Sequence, residues 1–384
     1  MKNFEFYSPT NIIFGRGVVS RIGEESAKLG KKALLVYGRE SIKTSGLYDE
    51  ICSRLSEAGV EWVEHGGVSA NPVLSHAEAG IKKAKDAGVE LIIGAGGGSV
   101  IDESKGIAAG FYADADLWDY YSNKAAVEKA LPVIAVQTLP ATSSETNQVG
   151  VLTNEKTNEK YGLRSPLIIP KTAFLDPELT FSIPVKYTAY ASFDIMSHML
   201  EGYFTMTEDF APVHEGFAEG LISAVKLSLE RVLKNPRDFD ARASIMWAGA
   251  LAWNGLTNAG LEGASIPNHM FEHPLSAVYN VAHGAGLAVV MLGWLEFKKA
   301  DLQDRIIKFG EKILGLKDVV DVDEVIKEFR SWIKFIGCPV TLGELGIENP
   351  DIPELIGQAR KLSRLWGIDE YSDADMEVVY RLCM

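Results

Sequence analysis

Apolar residues in the first half of the chain bunch into short runs, and between the runs they recur at every third or fourth position. The runs at 32–38, 61–67, 89–93 and 132–138 read as strands, and the intervening stretches at 47–58, 75–87 and from Val100 onward read as helices. Strand and helix alternating in this way predict a parallel, doubly wound sheet. Ahead of it, 4–7 and 11–14 flank Ser8-Pro9-Thr10 and are expected to form a hairpin at the sheet edge. Beyond Pro170 the period changes: Asp176-Pro177 and Ile183-Pro184 punctuate a transition to long helical patterns at 187–202, 213–233, 241–253, 301–314 and 323–335. The expected division is an α/β dinucleotide-binding (Rossmann-like) domain over 1–180 and an all-α domain over 181–384 that carries metal and substrate, with a ligand cleft where domains meet.

Charge narrows the possible partners. A net charge of −14 without a Lys/Arg cluster repels phosphate backbones and argues against nucleic acid. The longest apolar run, 286–294, is too short to span a bilayer, and the first five residues lack the pattern of a signal peptide, so a cytoplasmic protein that does not enter membranes is expected. Cys52, Cys338 and Cys383 stand singly and read as free thiols.

Four of the seven histidines join one aspartate in two spaced groups: Asp194 with His198, then His269, His273 and His283. Any one of them alone would pass for a hydrogen-bonded core residue; the repeated spacing is what points to chemistry. Asp194 and His198 are separated by four positions in an apolar-periodic stretch, so both leave one helix face a turn apart. His269 and His273 repeat that interval, and His283 follows beside Gly284, where a small residue lets backbone come close. Imidazole and carboxylate together suit Fe2+ or Zn2+ better than Mg2+ or Ca2+. Four of the five would complete a mononuclear shell and leave one for catalysis.

Gly96-Gly97-Gly98-Ser99 falls where a strand meets a helix, so backbone N–H groups and the helix N-terminus can cradle a pyrophosphate. A second hydroxyl-rich loop, from Thr138 through Thr142 and Ser144 to Glu145, follows the next strand. Two such loops at successive strand ends favour a dinucleotide. After the first core strand, Gly38, Arg39, Glu40 and Ser41 occupy the position that meets the adenosine ribose. Glu40 there suits the 2′-hydroxyl of NAD, whereas Arg39, Ser41 and Lys43 suit the 2′-phosphate of NADP, so NADP(H) is slightly favoured over NAD(H).

With these residues in place, the chain resembles the iron-containing (group III) alcohol dehydrogenase family over essentially its whole length, and most closely the branch of NADH- or NADPH-dependent butanol dehydrogenases and broad aldehyde reductases. The family's triple-glycine turn followed by Asp and Lys matches Gly96, Gly97, Gly98, Ser99, Asp102 and Lys105, and its metal set matches Asp194, His198, His269 and His283. The second loop departs from the common Gly-Thr-Gly-Ser-Glu, reading Ala141-Thr142-Ser143-Ser144-Glu145. The resemblance implies the dehydroquinate synthase-like fold, Fe2+ or Zn2+ at the metal site, and a homodimer to which the N-terminal hairpin contributes. It also implies that Asn147, Lys160 and Leu179 lie near the cofactor. His273, in His273-Pro274-Leu275, is implied to lie beside nicotinamide and substrate and to assist catalysis. The implied activity is hydride transfer between NAD(P)(H) and short- to medium-chain primary alcohols or aldehydes. Polyol dehydrogenase, dehydroquinate synthase-like lyase and non-catalytic nucleotide or metal sensor are the alternatives.

Overall fold

A computed structural model describes residues 1–384, which form two compact units. One holds Tyr7–Ile183 with Arg237–Asn254; the other holds Met1–Phe6, Pro184–Pro236 and Gly255–Met384.

The first unit is built on six strands: β1 (Asn11–Phe14), β2 (Lys32–Tyr37), β3 (Glu61–Gly66), β4 (Leu91–Gly97), β5 (Val133–Leu139) and, after the pair β6 (Val149–Asn154) and β7 (Glu159–Arg164), β8 (Thr172–Leu175). The sheet order is β1-β8-β5-β4-β2-β3, and every pairing within it is parallel. Helices α1 (Ile22–Ala27), α2 (Ser41–Thr44), α3 (Leu47–Glu57), α4 (Leu74–Ala87), α5 (Gly98–Gly110) and α6 (Leu117–Tyr121) supply the crossovers. Parallel strands buried on both faces need continuous apolar sequence, and Ala33 to Val36 of β2 are wholly buried. β4 runs on through its glycines as far as Gly97, four residues beyond the expected strand end. Neighbours on both sides carry it: Val36 pairs with Gly94 and Ala95 with Val136.

The expected N-terminal hairpin is not formed. Residues 4–7 make no strand, and β1 pairs in parallel with β8, an arrangement that a tight turn cannot produce. Instead Lys2 N–H donates to the Gly260 carbonyl at 2.9 Å, which ties the first residues to the helical unit. The antiparallel hairpin is β6–β7, a two-stranded sheet that the mixed polarity of its strands did not announce.

From Pro184 the chain is helical: α7 (Val185–Thr205), α8 (Pro212–Lys234), α9 (Phe239–Ala252), α10 (Pro267–Tyr279), α11 (His283–Lys298), α12 (Gln303–Phe309), α13 (Val322–Phe335), α14 (Ile352–Trp366) and α15 (Asp373–Leu382). Of these, α9 groups with the sheet unit, where Met246 and Ala250 pack on Leu175 of β8; the units therefore do not follow a single cut near residue 180. α7 is buried almost all round and α11 is apolar almost all round, and the two form the centre of the helical unit. No helix is long and apolar enough to cross a membrane.

Candidate active site

In the sheet unit the glycine turn and the hydroxyl-rich loop are knit together at the start of α5. A Cβ on Gly98 would lie 2.4 Å from Thr142 Oγ1, so only glycine lets the loop close over the helix N-terminus. Opposite Gly96 and Gly97 the register of β5 shifts, and Thr138 is the extra residue. Ser144 Oγ donates to Asp102 Oδ1 at 2.5 Å, and Asn147 Nδ2 donates to the Thr142 carbonyl at 3.0 Å. Lys105 Nζ fans its donors to Asn147 O, Asn147 Oδ1 and Val149 O at 3.0, 2.9 and 2.7 Å. Asp102, Lys105 and Glu145 are all buried here. Burial pushes the Asp102 carboxyl upward and the Lys105 ammonium downward, while their mutual attraction opposes both shifts.

Gly96, Gly97, Gly98, Ser99, Asp102, Thr138, Thr142, Ser144 and Asn147 thus share one loop cluster. Gly38 joins it, because a Cβ there would approach Val100 Cγ2 of α5 at 3.8 Å. Arg39, Glu40 and Ser41 follow as exposed residues at the end of β2. Lys160 lies buried on β7 and donates to Asn71 Oδ1 at 3.2 Å. Leu179 packs instead against the core that contains Val136 and Phe174.

The helical unit gathers the histidines. Asp194 and His198 project from consecutive turns of α7, His269 comes from α10, and His283 opens α11. A Cβ on Gly284 would sit 2.0 Å from the Tyr190 carbonyl; its absence lets α11 cross α7 closely enough to bring His283 to Asp194. Asp194 Oδ1 lies 3.4 Å from His198 Nε2, 3.7 Å from His269 Nε2 and 3.8 Å from His283 Nε2. Asp194, His198 and His269 offer ligand atoms within 4.8 Å of one another and His283 Nε2 reaches Asp194 Oδ1 at 3.8 Å, spacings near the ~3.4 Å between ligand atoms that bonds of ~2.1 Å at tetrahedral angles require. Buried Asp194 Oδ1 and His269 Nε2 have no hydrogen-bond partner in the protein, as atoms reserved for a cation should. His273 stands beside this group: its ring is 5.5 Å from that of His283 and 6.2 Å from that of His269, with Trp366 edge-on at 5.2 Å.

Two carboxylates that sequence reasoning missed aim the imidazoles. His269 Nδ1 hydrogen-bonds Glu201 Oε2, and the His269 backbone N–H donates to Glu201 Oε1 at 2.9 Å. His283 Nδ1 hydrogen-bonds Glu272 Oε2, whose other oxygen accepts from Ser276 Oγ. A carboxylate on Nδ1 fixes the proton there and presents Nε2 to a metal. Glu201 continues the series Asp194, His198 on the same face of α7, which was the available signal.

Electrostatics prepare the same atoms. Burial alone would raise the Asp194 carboxyl, but His198, His283 and His269 outweigh it and hold it at about 2. Burial, reinforced by His269, lowers His198 to about 3 and keeps it neutral. Burial also opposes the cationic form of His269, yet Glu201 and Asp194 prevail and hold it at about 10.

Glu201→Gln and Glu272→Gln are each expected to weaken metal binding by roughly 10- to 100-fold with the fold retained, measured by competition with a chromogenic chelator. Because His269 keeps its second proton up to about pH 10, an incoming ion must displace it. Apparent metal affinity should therefore rise with pH by at least about tenfold per unit through the neutral range, with at least about one proton released per ion, seen by calorimetry in buffers of differing ionisation enthalpy. Lys105→Ala removes the buried cation that acts on both the Asp102 and Glu145 carboxylates, and should cost about 3–5 kcal/mol in chemical denaturation.

Comparison with known proteins agrees with this geometry. The sequence model "Iron-containing alcohol dehydrogenase" matches residues 9–177, and "Fe-containing alcohol dehydrogenase family, C-terminal" matches 188–381. The chain is 37% identical over 364 residues to NADH-dependent butanol dehydrogenase A of Clostridium acetobutylicum, covering 94% of this chain and 93% of that one. It is 30% identical over 362 residues to the NADPH-dependent aldehyde reductase YqhD of Escherichia coli, covering 93% and 92%. The crystal structure of NADH-dependent butanol dehydrogenase A from Thermotoga maritima superposes with a TM-score of 0.96 at 37% identity, over 100% of this chain and 99% of that one. On both sequence and structure, this chain belongs to the iron-containing alcohol dehydrogenase family.

Proposed function

We propose that the chain is a metal-dependent alcohol dehydrogenase and aldehyde reductase that moves hydride between NAD(P)(H) and short- to medium-chain primary alcohols or aldehydes. The observation that carries this reading is the placement of Asp194 Oδ1 among three imidazole Nε2 atoms, in a chain that also builds a glycine-cushioned anion cradle. Similarity to proteins named butanol dehydrogenase and aldehyde reductase supports the substrate class.

Asp194, His198, His269 and His283 would hold Fe2+ or Zn2+, with Glu201 and Glu272 orienting His269 and His283. Such an ion supplies Lewis acidity, lowering the pKa of a hydroxyl ligand by several units and polarising a carbonyl oxygen. The backbone of Gly96, Gly97, Gly98 and Ser99, with Thr138, Thr142 and Ser144, binds the pyrophosphate. Asp102 braces that loop through Ser144, and Asn147, Lys160 and the half-buried Leu179 lie near the cofactor. At the ribose, exposed Arg39 and Ser41 beside Gly38 give NADP(H) a slight preference, which Glu40 tempers. In oxidation, hydride leaves the alcohol carbon for nicotinamide C4 and the hydroxyl proton departs through an imidazole nitrogen of His273; reduction reverses both transfers. His273 is buried next to the metal ligands and steadied by Trp366, which suits a relay more than a fifth ligand. The working enzyme is a cytoplasmic homodimer in this reading, supported by the exposed aromatics Phe4, Phe6 and Tyr7 of the N-terminal segment and by three free thiols.

The test is oxidation of NADPH and, separately, NADH by butanal, with the protein reconstituted anaerobically with Fe2+ or Zn2+ and a chelated control. Metal-dependent turnover with both nucleotides, somewhat faster with NADPH, and loss of turnover in His269→Ala are expected. A folded protein that binds nucleotide and metal yet turns over neither nucleotide with either ion would overturn the reading.

A further inference from the structure

Away from the histidines of the helical unit, three chemistry-bearing side chains of the sheet unit converge from three different elements. His65 is the buried residue of β3, His76 lies in the first turn of α4, and Glu103 lies in α5. Glu103 is wholly buried, and His65 is 4% exposed. Glu103 Oε1 lies 3.1 Å from His65 Nε2 and 2.7 Å from His76 Nδ1, and the two imidazole rings face each other with centroids 4.2 Å apart. Room for this arrangement is built in: a Cβ on Gly80 of α4 would lie 2.9 Å from His65 Nε2, so a larger residue would evict the ring. Glu103 Oε2 is buried and has no hydrogen-bond partner. A carboxylate enclosed in protein, with one oxygen served by two imidazoles and the other by nothing, is costly unless a further positive group sits against it.

We propose that His65 Nε2, His76 Nδ1 and the Glu103 carboxylate form a second cation site, selective for a divalent late-transition ion such as Zn2+. One ligand atom from each residue lies within 4.8 Å of the others, a separation that small side-chain rotations convert to bonds of ~2.1 Å. Two imidazoles with one carboxylate are the donor set that zinc, cobalt and nickel take in preference to magnesium or calcium. His76 keeps 29% of its side chain exposed, so a water molecule can reach the ion and complete a tetrahedral shell, and the same opening admits the ion. Binding joins β3, α4 and α5, and α5 is the helix whose first residues form the phosphate turn. The role is structural and does not depend on the reaction assigned to the chain.

Calorimetric titration of the metal-stripped full-length protein with Zn2+ tests the site, alongside His76→Ala, Glu103→Gln and His269→Ala. The wild type should bind about two ions per chain, His76→Ala and Glu103→Gln about one each, and His269→Ala about one through the His65 group. Co2+ gives an independent readout: the visible bands that it develops in His269→Ala protein should vanish when His76→Ala is added. His76 is partly exposed and Glu103→Gln keeps its shape, so both variants report on an intact fold. Failure of the dehydrogenase reading would show as absent turnover with both equivalents bound. A single equivalent in the wild type, or a stoichiometry that His76→Ala and Glu103→Gln leave unchanged, would overturn the second site and assign the cluster to hydrogen bonding alone.

Discussion

A carboxylate sealed among imidazoles sets the terms for the helical unit. Asp194 is buried in a helix that is enclosed almost all round, where an unpaired negative charge costs several kcal/mol. Three Nε2 atoms converge on it, and the outer nitrogens of two of those rings are held by Glu201 and Glu272, which are themselves wholly buried. Three acids and three imidazoles in one buried interior leave excess negative charge, most of which a divalent cation at the centre would offset. Helix placement follows from the same demand, since Gly284 exists to let α11 touch the backbone of α7. Polar groups this expensive to bury are retained for the chemistry that they permit.

The sheet unit handles its charges differently. Asp102, Lys105 and Glu145 are enclosed near the start of α5, and they brace the loop that lies over the phosphate turn. Lys105 directs its donors to the backbone and side chain of the segment from Asn147 to Val149.

Much of this was legible because it obeys short periods. The four-residue interval between Asp194 and His198 places both on one helix face whatever the tertiary context, and the glycine run falls at the strand-to-helix junction that alternation of the first half implies. Glu201 and Glu272 escaped notice because carboxylates on helices are common and usually solvated; the i+7 interval from Asp194 marks the face of Glu201, whereas only the fold shows that Glu272 points inward. His65, His76 and Glu103 are far apart in sequence and meet only through sheet register and helix packing, so no local pattern marks them. The hairpin expected from residues 4–14 failed because periodicity reveals that a segment is extended but not which strand it pairs with, and the residues of β8 that pair with β1 lie 161 positions downstream. The β6–β7 pair and the chain crossings that place α9 with the sheet are likewise decided by long-range packing.

The most direct measurement is an anomalous difference map, collected at the iron edge, from crystals of the Fe2+-loaded protein. The account predicts a strong peak among Asp194 Oδ1 and the Nε2 atoms of His198, His269 and His283, at ~2.1 Å from each. Loaded crystals with no peak among those four atoms, or with the ion held by His273 in place of one of them, would contradict it.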